Sequence, residues 1–227
     1  MRRAEIEFQA FDENCDLRIY YHGLLPHWRQ KGCTYFVTFR LADSIPEAVL
    51  REIEYEESKW LEAHGIDRQL AIWKQRLVTL PRTIRRQFEQ LVGKLVNCAL
   101  DECHGSCILR NAEVAKQVES SLLHFDGKRI RTGDYVIMPN HVHVLITPLD
   151  DHDLEQVLRS VKSFTARSIN TMLGSHGRIW QRESYDHIVR DREQLAAFQA
   201  YIAANPEKAR LKLGSYLHRG AAYRFLE

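Results

Sequence analysis

No stretch of this 227-residue chain approaches the roughly 18 consecutive apolar residues of a membrane-spanning helix. Its first residues, MRRAEIEFQAFDEN, lack the apolar core of a secretory signal. The two absences together set the expectation of a cytoplasmic protein with no membrane partner. A strong charge of one sign is missing too. The formal net charge is +2 and the pI is near 8.3, which neither demands nor excludes a polyanionic partner, so local clusters matter more than the total. Cysteines number five, and an odd count argues against a disulfide framework. CALDECHGSC gathers Cys98, Cys103, His104 and Cys107, yet it lacks the C-x-x-C knuckle of a structural zinc site. Free thiols are therefore expected. Internal repeats, low-complexity tracts and flexible linkers are also lacking. What is left, 44% hydrophobic and 27% charged, is an ordinary globular composition, enough for one domain carrying a large insertion.

Periodicity supplies the elements. GCTYFVTFRLA places Tyr35, Val37, Phe39 and Leu41 at alternate positions, the pattern of a half-buried strand. The charged stretch that follows reads as two or three helices, opened by prolines at Pro46 and Pro81 and stopped once at Gly65. NAEVAKQVESSLLHFDG predicts a helix capped by Asn111, with Val114, Val118, Leu122 and Phe125 on one face and Gly127 closing it. GDYVIMPNHVHVLITP reads as two short strands split by Pro-Asn, at a turn or bulge. An amphipathic helix follows on Leu154, Leu158, Val161 and Thr165 or Phe164, its acidic start including Asp150 and Asp151. SYDHIVR is strand-like. DREQLAAFQAYIAANP predicts a final helix ending at Asn205, because a residue before proline resists the α region.

With an insertion of about 43–111 set aside, the order is β-α-β-β-α-β plus one helix. That is the ferredoxin-like α+β arrangement, an antiparallel sheet with helices on one face, in a single domain spanning 1–227.

The chemistry concentrates in MPNHVHVLITP. Side chains alternate along a strand, so His141 and His143 share a face, and two adjacent imidazoles can grip one divalent ion. A metal that does chemistry needs at least one more protein ligand and an open position. No third histidine continues the strand, against an H-x-H-x-H hydrolase, and no H-x-H-x-D-H follows, against a two-zinc hydrolase. Tyr201 and Asn205 lie four apart on the last helix, hence one turn apart. By spacing alone Tyr201 edges the apolar stripe of Leu195, Phe198 and Ile202, and Asn205 is a helix end.

The ordered blocks YVIMPNHVHVLITP and IWQRESYDHIVRDREQLAAFQAYIAANPEKARL, with YFVTFRLADSIP and LLHFDG before them, resemble the single-tyrosine HUH transposases. More narrowly, they resemble the REP-associated tyrosine transposases of the IS200-like family, over about residues 26–212. The resemblance implies a ferredoxin-like fold and cleavage of single-stranded DNA beside short hairpins, through a tyrosine that stays linked to the 5′ phosphate. It makes His141 and His143 the metal-binding pair, Tyr201 the nucleophile and Asn205 the third ligand, with Mg²⁺ or Mn²⁺ the expected ion. Tyr185 is a rival nucleophile, though it sits in a strand and has no ligand partner four residues on. Asp186 and His187 are candidate supporting groups, and Trp180 could stack a base or simply be core. Arg159 and Lys162 are the expected DNA-phosphate contacts, within a helix that also carries Arg167. A second basic cluster is Arg82, Arg85 and Arg86. The expected partner is single-stranded DNA with hairpins, bound by a monomer or a homodimer. Two other readings stand beside this one: a hairpin-binding protein without catalysis, and a metallo-hydrolase of small molecules.

Overall fold

The main antiparallel sheet owes its strand order to the split pattern read above. The computed structural model describes residues 5–12, 14–16, 18–21, 26–149 and 152–225. The expected acidic helix start at Asp150 and Asp151 lies outside the described residues, as does the beginning of the N-terminal segment. In chain order the elements are β1 (Ile6–Phe8), β2 (Arg18–Tyr21), β3 (Pro26–Arg29), β4 (Tyr35–Arg40), α1 (Glu47–Ala63), α2 (Trp73–Thr79) and α3 (Arg82–Asp101). After a 3-10 turn at Ile108–Arg110 come α4 (Ala112–Phe125), β5 (Ile130–Ile137), β6 (His141–Pro148), α5 (Leu154–Leu173), β7 (Tyr185–Ile188), α6 (Arg192–Lys208), β8 (Leu217–Arg219) and β9 (Tyr223–Phe225). The main sheet runs β7-β4-β6-β5-β8, antiparallel throughout. Its first four strands have the ferredoxin-like order, and β8 adds an edge. Two small ribbons, β1-β9 and β2-β3, accompany it.

The chain forms two compact units, residues 1–42 with 106–227, and residues 43–105. The second corresponds to the expected insertion. Of its three helices, α1 and α3 share an apolar cluster of Ile53, Ala99 and Leu100, joined by Ile45 just before α1. Residues 106–111 go with the first unit, where the 3-10 turn leads into α4.

Helix α4 begins as its sequence predicts: the Asn111 side chain accepts from the Glu113 amide at 2.9 Å and the Val114 amide at 3.4 Å. On α5, Thr165 rather than Phe164 faces inward, and it accepts a 2.9 Å hydrogen bond from buried Trp180. Core burial is thus the place of Trp180. All five cysteines are free. No described helix is long and apolar enough to cross a membrane.

Two expectations need correction. Strand β4 is buried on both faces, not one. Tyr35, Val37 and Phe39 join α4 and α5 in one core, while Phe36 joins a second core with Leu195 and Ile202 of α6. The last helix covers the face that the alternation left to solvent. Helix α6 also continues past Asn205 to Lys208, with Pro206 inside it and buried. Proline removes one intrahelical donor and crowds the preceding turn, but three residues beyond it suffice to close the end. Leu211 N–H reaches the Pro206 carbonyl and Arg210 N–H the Glu207 carbonyl, both at 2.9 Å, with Arg210 in the left-handed region at φ 52°. That is a Schellman ending built without glycine.

Candidate active site

A two-residue period decides what β6 shows to each side. Val142, Val144 and Ile146 enter the core beneath α4 and α5, and Leu145 enters the core beneath α6. His141 and His143 alternate with the first set and share the face of Leu145. The turn that precedes them is tight. Met138 N–H donates to the His141 carbonyl at 2.8 Å, so Pro139 and Asn140 close a β5–β6 hairpin.

Both histidines are fully buried, and each ring is held from behind by an oxygen. Nδ1 of His141 lies 2.7 Å from Asn140 Oδ1, and Nδ1 of His143 lies 2.7 Å from the Thr38 hydroxyl. The two Nε2 atoms face each other at 3.0 Å. With Oδ1 against it, the His141 Nδ1 is the donor, so its Nε2 presents a lone pair. The Thr38 hydroxyl, which can donate or accept, serves either tautomer of His143, including the one whose Nε2 also presents a lone pair. Burial pushes the His141 pKa down to about 3, opposed by a hydrogen bond with the Asn205 side chain. Burial, then the neighbouring His141, holds His143 well below its usual value. Both rings are neutral at pH 7, the state in which imidazole is a ligand.

Helix α6 brings the remaining residues. Its N-terminus is fixed by Asp191, which accepts from the Gln194 amide at 2.7 Å, and its middle by Gln199, which donates to Asp134 of β5 at 3.0 Å. Asn205 is fully buried and hydrogen-bonded to His141. The Tyr201 hydroxyl stands 3.5 Å from His143 Nε2, with its ring edge-on to that imidazole at 5.1 Å. Phe36 of β4 orders this contact: it stacks on His143 at 5.3 Å and on Phe198 at 4.4 Å, and meets Tyr201 edge-on. The structure therefore brings His141, His143, Tyr201 and Asn205 together.

The other candidates go elsewhere. Arg159 and Lys162 lie on α5, across the sheet from the histidines. Arg159 is exposed, while the Lys162 ammonium donates to the Arg182 carbonyl at 2.9 Å and to Ser184 at 3.1 Å. Burial lowers the Lys162 pKa to about 8. Asp186 faces that same side, in a two-point pair with Arg29 at 2.6 and 3.0 Å. His187 meets Gln194 at 3.1 Å. Tyr185 shares the histidine face and pairs with Thr38 across the strands.

Reading the sequence missed Thr38, Asn140 and Phe36. Asn140 stands next to the pair and could have been weighed as a ring-orienting group. Thr38 and Phe36 become visible only with the β4–β6 register, Thr38 opposite His143 and Phe36 opposite Leu145. The same register sets Arg40 opposite His141, on the histidine face.

Residues 109–205 match the family model of the IS200-like transposases. Over this segment the chain is similar to the IS200-like transposases. The match encloses all four clustered residues and ends on Asn205, while Thr38 and Phe36, which hold His143, come from β4 outside it. Among solved structures, one of a REP-associated tyrosine transposase bound to a REP hairpin is similar over 82% of this chain and 74% of its own, with 15% identity and a TM-score of 0.44. No curated protein sequence matches the chain.

Proposed function

We propose that this chain cuts and rejoins single-stranded DNA beside palindromic hairpins, using Tyr201 as nucleophile and a divalent ion, Mg²⁺ or Mn²⁺, held by His141, His143 and Asn205. One observation carries the reading: a phenol hydroxyl 3.5 Å from an imidazole pair whose Nε2 atoms are 3.0 Å apart. The donor set fits such an ion. Neighbouring positions on an octahedral ion with bonds of ~2.1 Å lie about 3 Å apart, and both rings are neutral with their Nδ1 atoms anchored. An amide oxygen completes a nitrogen-and-oxygen set that suits these ions. When bound, the ion supplies charge to polarise the phosphate and to stabilise the leaving 3′ oxygen.

The chain's own residues do the rest. Phe36 and Phe198 fix the His143 plane and the Tyr201 edge, so the phenol oxygen is positioned before substrate arrives. That oxygen attacks phosphorus and forms a P–O bond, while the bond to the 3′ oxygen breaks. The phenol gives up a proton and the 3′ oxygen gains one, so the diester keeps its single negative charge. Because the bond energy is stored in the phosphotyrosine, the step reverses without ATP and strands can be joined. The hairpin context follows from the likeness of the sequence blocks to REP-associated transposases.

Incubation with 5′- and 3′-labelled hairpin oligonucleotides, taken from palindromes flanking the gene, and Mn²⁺ tests this on denaturing gels. A covalent adduct on the 5′-phosphate fragment that EDTA abolishes is the expected result. Cleavage that persists in EDTA removes the metal from the scheme. Hairpin binding with no adduct makes the protein a DNA-binding relative without catalysis.

A further inference from the structure

We propose that Lys208 is a second catalytic cation of this site, binding a non-bridging oxygen of the phosphate as the phosphotyrosine diester forms. This rests on the assignment of Tyr201 as nucleophile made above. Lys208 follows Tyr201 by seven residues, two turns along α6, so both leave the helix on one face. Its ammonium sits over the Tyr201 ring, 4.7 Å from the centroid. The side chain is exposed, and Lys208 makes no ion pair among the described residues.

These facts combine to a specific effect. The two imidazoles are neutral, and the amide and the phenol carry no charge, so Lys208 brings a cation onto the tyrosine that carries the attacking oxygen. An ammonium over the ring face is within reach of any group bonded through the ring's hydroxyl, because lysine's four-carbon stem rotates freely. In the ground state that cation interacts with the π face. Once phosphorus bonds to the phenol oxygen, the diester brings an anionic oxygen to the same place, and the ammonium gains a charge-assisted contact that it lacked before. A cation that strengthens its contact as the bond forms accelerates the step instead of tightening binding. The bond changes are those already given, with Lys208 remaining protonated throughout.

The test uses the full chain and the same labelled hairpin oligonucleotide with Mn²⁺. Lys208→Met keeps the stem on the tyrosine and removes the charge, and Lys208→Arg restores a cation. Lys208→Met should lower kcat for adduct formation by about tenfold to a hundredfold, with KM and hairpin affinity held within about twofold, and Lys208→Arg should recover most of the rate. Thermal melting shows that each variant is folded. A Lys208→Met protein that forms adduct at the wild-type rate overturns the proposal. So does one whose hairpin affinity falls as far as its rate, since that marks a general phosphate contact. So does an arginine variant no better than methionine. If the wild-type protein forms no adduct at all, the nucleophile assignment itself fails, and this inference falls with it.

Discussion

Strand β6 has two faces made of alternate residues of one octapeptide, and they follow opposite rules. Val142, Val144 and Ile146 enter the apolar core beneath α4 and α5. His141 and His143, equally buried, enter a polar chain running from Thr38 through both rings to Asn140. Burial is the same on both sides, yet the first face gains from it and the second is taxed by it. An apolar side chain loses only water, whereas each imidazole must find a partner for both nitrogens. The back face is thus tolerant in chemistry and strict in volume. The histidine face is strict in chemistry, because each ring nitrogen faces a specific polar partner.

Breaking that contrast begins at Tyr201. Tyr201→Phe should abolish the covalent adduct on labelled hairpin DNA while leaving the melting temperature unchanged, since the ring that packs on Phe36 and His143 is kept. Adduct formation by this variant shifts the nucleophile to another residue, with Tyr185 the first to examine. The opposite result is expected behind the sheet. Ile146→Ala should cost about 2–5 kcal/mol in denaturant unfolding and spare adduct formation at temperatures where the protein is folded. Thr38→Val, nearly isosteric, should weaken Mn²⁺ binding about 10- to 100-fold by calorimetry, because His143 loses the oxygen that orients it. Equal Mn²⁺ affinity would show that Phe36 stacking alone holds the ring.

The mildest perturbation is of solvent. Both histidines have folded pKa values below the ordinary 6.5, so the unfolded chain binds more protons at acid pH. Stability of the chelator-treated protein should be fully present above about pH 6.5 and fall as pH drops below it. His143→Ala should flatten that slope in pH-dependent melting. An unchanged slope would place the acid sensitivity elsewhere.

Much of this was legible in the order of residues. A strict two-residue alternation put both histidines on one face, and Asn111 marked the start of α4 by its own side chain. The strand order followed from β-α-β-β-α-β, because short connections leave few alternatives. Three things were not legible. The second buried face of β4 depends on α6 returning across the sheet, a packing choice that no window around Tyr35 contains. Thr38 supports His143 from 105 positions away in sequence, and register alone makes them partners. Pro206 looked like a helix stop because local backbone preference was weighed without the Leu195 and Ile202 anchoring that carries the helix through it. The place of the α5 cations was not legible either: Arg159 and Lys162 share one helix, and the sheet lies between it and the histidines.

Pro206 also divides α6 mechanically. It supplies no amide hydrogen, so the turn around it is held by one bond fewer than the turns before it. The bond it omits is the one to the Ile202 carbonyl, inside the turn that holds Asn205. Beyond the proline the end is pinned, because the Leu211 and Arg210 amides close on the Pro206 and Glu207 carbonyls at 2.9 Å. Lys208 therefore stands in a last turn tied down from its far side, two turns from Tyr201.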